Sequence, residues 1–135
     1  MKPSTEVVLS LAERLQRELG TGYDVLVEPV VDSIQGVPIV GRPGFVIFDH
    51  ARESTTIVQV SGSWLDDTLP IGAAAHVLSV GKKNRRLHPR LVLVSTSRVH
   101  QMIRDVLSGN GVEIIVTDKP GEAVSRVTSF IRAAA

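Results

Sequence analysis

The back half of the chain alternates apolar strands with amphipathic helices, and no other feature of the sequence restricts the fold so strongly. Short apolar runs at 91–95 (LVLVS) and 112–118 (VEIIVTD) are typical of buried strands. After each run, apolar residues recur at helical spacing, which predicts helices over 98–108 and 120–133. Strands that alternate with helices are joined by crossovers and pair in parallel. The back half therefore predicts parallel strands with helices packed on the sheet.

The front half predicts hairpins instead of crossovers. A helix is expected over 5–19, followed by three strands: YDVLVEPVV (23–31), FVIFD (45–49) and TTIVQVS (55–61). A turn after the first strand leads into a second extended piece at VPIV (37–40). A second helix is expected from Pro70 to about Gly81. Short turns give antiparallel pairing, so the chain predicts an α/β fold with a mixed sheet flanked by helices, in the order α-β-β-β-α-β-α-β-α. Its 135 residues fit one domain, 1–135.

The composition indicates the cellular compartment in which the protein is expected. There is no cysteine, which excludes a disulfide framework and a thiolate metal site. No N-terminal stretch matches a secretory signal, and the apolar runs are far shorter than the ~20 residues that span a bilayer. We therefore expect a cytoplasmic protein with no membrane contact.

Positive charge is concentrated in one short segment, although the net charge is only +1. Within the stretch 82–90 the sequence places Lys82, Lys83, Arg85, Arg86, His88 and Arg90. Such a cluster is typical of surfaces that bind the phosphates of DNA or RNA. A solvated helix end and loop is the simpler explanation, because cations are favoured at a helix C-terminus and charge runs are usually solvated surface. Both interpretations stay open at this point.

Two consecutive segments resemble the motif region of a known enzyme family. GRPGFVIFD (41–49) and TTIVQVSGS (55–63) lie where PD-(D/E)XK nucleases carry Pro-Asp at the start of one strand, then Glu or Gln with Lys two residues later on the next. The order of helices and strands is similar too, and the likeness covers roughly residues 5–116. The resemblance implies a restriction-endonuclease-like fold.

The positions that carry nuclease chemistry in that family hold other residues here. The resemblance aligns Gly44 with the first acid, Gln59 with the second and Ser61 with the lysine. Phosphodiester cleavage needs acidic oxygens to hold Mg²⁺, and a lysine beside the metal to orient water and add positive charge. Alternate strand residues share a face, so positions 59 and 61 would both face the site. We therefore expect a degenerate site with no catalytic residue, no metal and no cofactor.

An active nuclease with a rearranged site is the first alternative. The acid would then come from Asp49, Glu28 or Glu13, and the lysine from Lys82 or Lys83, with Mg²⁺ as the cofactor. The competing interpretation is that Asp49 and Glu28 are ordinary turn and strand-end residues and that both lysines are solvated.

Other candidate motifs carry less information. The four histidines (50, 76, 88 and 100) lack the spacing of a metal site, and no dinucleotide, P-loop or GxSxG motif occurs. Trp64, in SGSWLDD, either anchors an interface or covers one end of the sheet.

A second resemblance concerns STAS regulatory domains. ESTTIVQVSGSWLDDT and the segment from LVLVSTS to GEAV are similar to parts of that family, whereas its phosphorylatable segment has no counterpart and the leading 40 residues stay unexplained. Three hypotheses result: a non-catalytic subunit that binds DNA or RNA through 82–90 or binds a partner protein, an active nuclease, and a STAS-like regulator of other proteins. A homodimer is expected in each, since two-fold pairs are the commonest oligomers.

Overall fold

The structure, a computed structural model, describes residues 3–27, 33–34, 37–38, 45–61, 70–96 and 98–133. Within these residues the helices are α1 (Pro3–Leu19), α2 (Pro70–Lys83), α3 (Gln101–Gly109) and α4 (Pro120–Ala133), with a 3-10 turn at Arg85–Leu87. The strands are β1 (Tyr23–Val27), β2 (Ser33–Ile34), β3 (Val37–Pro38), β4 (Phe45–Asp49), β5 (Ser54–Ser61), β6 (Arg90–Ser95) and β7 (Val112–Val116). None of these helices is long and apolar enough to cross a bilayer.

Five strands form one mixed sheet in the order β1-β4-β5-β6-β7. Strands β1, β4 and β5 pair antiparallel, whereas β5, β6 and β7 pair in parallel. Strands β2 and β3 form a separate antiparallel pair. The predicted mixed α/β sheet flanked by helices is therefore confirmed. Strand β1, which lies in the leading segment that the STAS-like alternative leaves unexplained, pairs with β4 in this sheet.

The two ends of the sheet determine where each candidate residue lies. At the carboxyl end, the parallel strands finish at Ser61, Ser95 and Val116. At the amino end these strands begin, and there Asp49 of β4 pairs with Ser54 of β5. Helices α2 and α3 each connect the end of one parallel strand to the beginning of the next. Both therefore run from the carboxyl end to the amino end.

One face of the sheet packs against α1 and α4. The core on this face consists of buried aliphatic and phenylalanine side chains: Leu11, Leu15, Leu19, Phe45, Ile47, Val58, Val60, Val92, Val94, Ile115, Ala123, Val124, Val127 and Ile131. The strand members occupy alternate positions, as the two-residue period of a strand requires. Where both helices end, Nη2 of Arg132 donates a hydrogen bond to the carbonyl of Glu18 at 2.8 Å.

The other face packs against α2 and α3. Its buried side chains form two clusters, which contain Val46, Phe48, Ile57, Ala74, Val77, Val80, Leu93, Leu107 and Val112. Gly81 lies so close to the sheet that a Cβ there would be 2.6 Å from Cδ1 of Leu91. Gly81 thus permits close packing instead of ending the helix, which continues to Lys83.

Other boundaries also differ from the expected ones. Helix α3 begins at Gln101 instead of 98, because the extended His100 caps it: Nδ1 of His100 accepts the backbone N–H of Met102 at 3.1 Å. Strand β7 ends at Val116, two residues before the expected end at 118. The expected extension of the first strand over 28–31 lies outside the described residues.

Candidate nucleic-acid interface

The basic segment lies at the amino end of the sheet. Lys82 and Lys83 end α2, Arg85 and Arg86 begin the 3-10 turn, and all four side chains are exposed. We call this segment the basic turn (82–86). Among the described residues, no ion pair joins any of these four cations to a carboxylate. The basic turn therefore presents positive charge that no described acid neutralises.

The backbone of the basic turn is held in place by its neighbours. The buried Asn84 donates from Nδ2 and from its backbone N–H to the carbonyl of Val80, at 2.8 and 3.0 Å. The N–H of Leu87 donates to the carbonyl of Asn84 at 3.0 Å, and its side chain packs against the core under α2. His88 adopts the left-handed conformation, with φ of 47°, and its backbone N–H closes the turn by donating to the carbonyl of Arg85. The exposed cations thus project from a fixed frame.

Arg90, the last cation of the predicted cluster, has a different environment. It is half-buried on β6, its guanidinium carbon lies 3.9 Å from the centre of the Phe130 ring, and Nη2 donates to the Phe130 carbonyl at 3.1 Å. Burial, followed by repulsion from Arg52, lowers the pKa of Arg90, whereas Glu113 raises it. The guanidinium still carries its charge at neutral pH. The prediction groups Arg90 with the phosphate-binding cations, but in the structure its side chain is already bound to α4.

Arg52 completes this arrangement from the turn between β4 and β5. Its Nη1 donates to the carbonyl of Ile131 at 3.2 Å and its Nη2 to that of Arg132 at 3.4 Å. Together Arg52 and Arg90 satisfy carbonyls in the last turn of α4, which have no partner within the helix and carry partial negative charge. The sequence contains no signal for this pairing, because the arginines are separated from their partners by 79 and 40 residues.

The positions that resemble the nuclease motif lie at the other end of the sheet. Gln59 pairs with Leu93 and Ser61 with Ser95, both near the carboxyl ends of their strands. Gln59 lies between Val58 and Val60, which face α1 and α4, so it belongs to the α2 face. Its Oε1 is buried, with no hydrogen-bond partner within the described residues. Gly44 lies outside the described residues.

The residues proposed to restore the nuclease site do not lie beside Gln59. Asp49 is only 4% exposed and stabilises a turn: its Oδ1 accepts the N–H groups of Ala51 and Arg52 at 3.0 and 3.3 Å. Asp49 pairs with Ser54, five strand residues before Gln59, which corresponds to a separation of about 17 Å along the sheet. Lys82 and Lys83 also belong to the amino end, where α2 finishes. The structure thus separates these side chains from Gln59 and Ser61.

The remaining candidates also have defined positions. Glu13 is exposed on α1, across the sheet from the face that carries Gln59, while Glu28 and Trp64 lie outside the described residues. Nε2 of His50 lies 2.7 Å from Oδ2 of Asp24, and both side chains are about half exposed. Throughout the described ranges, no three His, Asp or Glu side chains form a group that would hold a metal ion.

Comparison with known proteins gives a fold and no family. No family model and no curated protein matches the sequence. Among solved structures, protein VC1899 from Vibrio cholerae is similar over 97% of this chain, with a TM-score of 0.66 and 13% identity. EndoMS in its complex with double-stranded DNA is similar over 88% of this chain, with a TM-score of 0.54 and 13% identity.

Both neighbours are longer than this chain, which spans 34% of VC1899 and 47% of EndoMS. At such identity the likeness concerns the fold alone. This chain therefore has a fold similar to part of EndoMS, a protein whose structure contains double-stranded DNA.

Proposed function

We propose that this domain is a nuclease-fold module that binds nucleic acid through the basic turn and does not cleave it. The observation that carries the proposal is the fixed and exposed set of Lys82, Lys83, Arg85 and Arg86, which no acid among the described residues neutralises. The fold shared with DNA-bound EndoMS supports the same class of ligand.

The geometry of the basic turn suits phosphate binding. Each lysine or arginine that contacts a phosphate releases condensed counterions from the nucleic acid, which provides a favourable free energy without sequence preference. Because Asn84 and Leu87 already hold the backbone, binding has to order only the long side chains. We therefore expect a salt-dependent, sequence-independent affinity in which Arg90 takes no direct part.

The absence of cleavage is inferred from the chemistry of the motif positions. Mg²⁺ prefers charged, hard oxygen ligands, whereas Gln59 and Ser61 are neutral. Asp49 uses Oδ1 to stabilise its own turn at the far end of the sheet, and Lys82 belongs to that end as well. A phosphodiester held at the basic turn would lie away from Gln59 and Ser61.

One observation favours the alternative of an active nuclease. The buried Oε1 of Gln59 has no partner among the described residues, and an amide oxygen is a competent, although weak, metal ligand. In that case cleavage would require Mg²⁺ or Mn²⁺ and would be abolished by Gln59→Ala.

The test is a gel series on labelled single- and double-stranded DNA and RNA, each with Mg²⁺, Mn²⁺ or EDTA, scored for both retardation and cleavage. The proposal expects retardation in every metal condition and no metal-dependent product. Cleavage that is lost with EDTA and in Gln59→Ala would establish the nuclease alternative. If neither effect occurs, the proposal is wrong and a protein partner, including the STAS-like alternative, becomes the better hypothesis.

A further inference from the structure

An apolar groove separates α2 from α3 on the outer surface of the domain. It encloses about 500 Å³, and its walls are formed mainly by Ala74, Ala75, Leu78, Met102, Ile103 and Val106. Met102 is 73% exposed and Val106 is 54% exposed, and these are the large hydrophobic side chains with high exposure within the described residues. The groove is therefore an exposed apolar patch, and such patches usually mark binding surfaces.

The shape of the groove fits a helix. Met102 and Val106 are one helical turn apart on α3 and form a ridge, while the small Ala74 and Ala75 leave a depression opposite. The lining residues extend from Ala74 to Leu78 along α2 and from His100 to Leu107 along α3, a rise of about 6 Å and about 10 Å, or one to two helical turns. Amphipathic helices bind grooves of this kind through apolar residues at i, i+3 or i+4, and i+7.

Positive charge lies at both ends of the groove. Lys82 follows Leu78 by four residues, so it continues the row of α2 side chains that lines the groove. At the opposite end, exposed Arg98 shares a cleft with His100, which also lines the groove. The acid on α3, Asp105, already accepts a hydrogen bond from Nε2 of Gln101 at 2.7 Å. A ligand with carboxylates beside its apolar ridge complements this distribution of charge.

A second copy of the domain fits the groove less well. A stable dimer buries about 800 Å² on each partner. Met102 and Val106, the two apolar side chains that protrude at the groove, provide too small a surface for such an interface. We infer that the groove binds a short amphipathic helix of a partner protein, with an apolar ridge and acidic residues at both ends. This binding site shares only Lys82 with the proposed phosphate contacts. Peptide binding is therefore measured in the absence of nucleic acid, so that the two proposals are tested separately.

The experiment is selection of peptides about 12 residues long from a randomised display library on the immobilised domain. The selection is repeated on Met102→Ser/Val106→Ser, which removes the ridge, and on Lys82→Glu/Arg98→Glu, which reverses the charge at both ends. All four side chains are exposed, so both variants are expected to fold; circular dichroism checks this.

The inference expects peptides with apolar residues at i, i+4 and i+7 and an excess of Asp and Glu, bound at least ~10-fold more weakly by the Met102→Ser/Val106→Ser variant. The charge-reversed variant should select Lys and Arg at the positions where the wild type selects acids. The inference would be overturned if the selected peptides bound Met102→Ser/Val106→Ser as tightly as the wild type. It would also be overturned if the charge of the selected peptides were the same for the wild type and for Lys82→Glu/Arg98→Glu. Dimerisation of the wild type that Met102→Ser/Val106→Ser abolishes would overturn it as well, because a second copy would then cover the groove.

Discussion

Arg86 and Arg90 lie at the amino end of the sheet, only four residues apart in the sequence, and they belong to two groups of arginines with different environments. Arg85 and Arg86 are exposed on a turn, and no ion pair to them occurs in the described chain. Arg90 is half-buried and, together with Arg52, donates to carbonyls in the last turn of α4. The difference arises because β6 turns Arg90 toward the end of α4. Position relative to a helix end, and not charge density in the sequence, determines which arginines remain available to a ligand.

The largest expected effect is on nucleic-acid affinity when the exposed group is removed. Changing Lys82, Lys83, Arg85 and Arg86 together to Gln should weaken binding of duplex DNA by at least ~100-fold at low salt, because the phosphate contacts are lost. Fluorescence anisotropy measures the affinity. The free energy of unfolding should change by no more than about 0.5 kcal/mol for each substitution, because the four side chains are solvated. Binding that survives the four substitutions would remove the basic turn from the interface.

The next effect is on stability when Arg90 is changed. Arg90→Ala removes the hydrogen bond to Phe130 and the contact with its ring, and should lower the free energy of unfolding by about 2 kcal/mol. Urea denaturation measures this loss, and Arg86→Ala is the matched control, expected to change it by less than about 0.5 kcal/mol. If the two substitutions lowered the free energy of unfolding equally, the exposed arginines and those bound to α4 would not differ in their contribution to stability.

A smaller loss is expected for Arg52. Arg52→Ala leaves the carbonyls of Ile131 and Arg132 without their donors and should lower the free energy of unfolding by about 1 to 1.5 kcal/mol. The effect is smaller than that of Arg90 because Arg52 is exposed, so water replaces part of the interaction. In a double-mutant cycle, the losses from Arg52→Ala and Arg90→Ala should be non-additive, since both side chains serve one helix end. Strict additivity would mean that the two arginines act independently.

The smallest expected effect concerns the frame of the basic turn. Asn84→Ala removes the side-chain hydrogen bond to Val80 and should lower the free energy of unfolding by about 1 kcal/mol. The affinity for duplex DNA should fall only a few-fold, because the four cations remain but their backbone is less ordered. A loss of affinity as large as that of the fourfold Gln variant would show that Asn84 has a direct role in binding.

Much of the fold could be predicted from the sequence because it depends on local patterns. The apolar run at 91–95 and the helical spacing over 120–133 gave β6 and α4 within a residue of the observed bounds. Gly81 was misread as a helix end, since its requirement for close contact with Leu91 comes from another element. The start of α3 was placed too early because His100, which is not a common capping residue, caps it.

The candidate site was less predictable because it depends on tertiary structure. The cluster of cations is visible in the sequence, but the separation of Arg90 from the exposed members requires knowledge of where α4 ends. In the same way, Asp49 and Gln59 are close in sequence, and only the strand register reveals that they lie at different ends of the sheet. The groove between α2 and α3 gave no signal, since Met102 and Val106 have the spacing of ordinary core residues.

The most direct test of the central claim is the salt dependence of duplex DNA binding. The logarithm of the association constant is measured between about 50 and 200 mM salt for the wild type, for Arg85→Gln/Arg86→Gln, and for Arg14→Gln/Arg17→Gln as a control of equal charge on exposed residues of α1. If the basic turn contacts phosphates, the slope should decrease by about 1.8 for the first variant and stay unchanged for the control. The same decrease in both variants, or no decrease in either, would contradict the claim that nucleic acid binds at the basic turn.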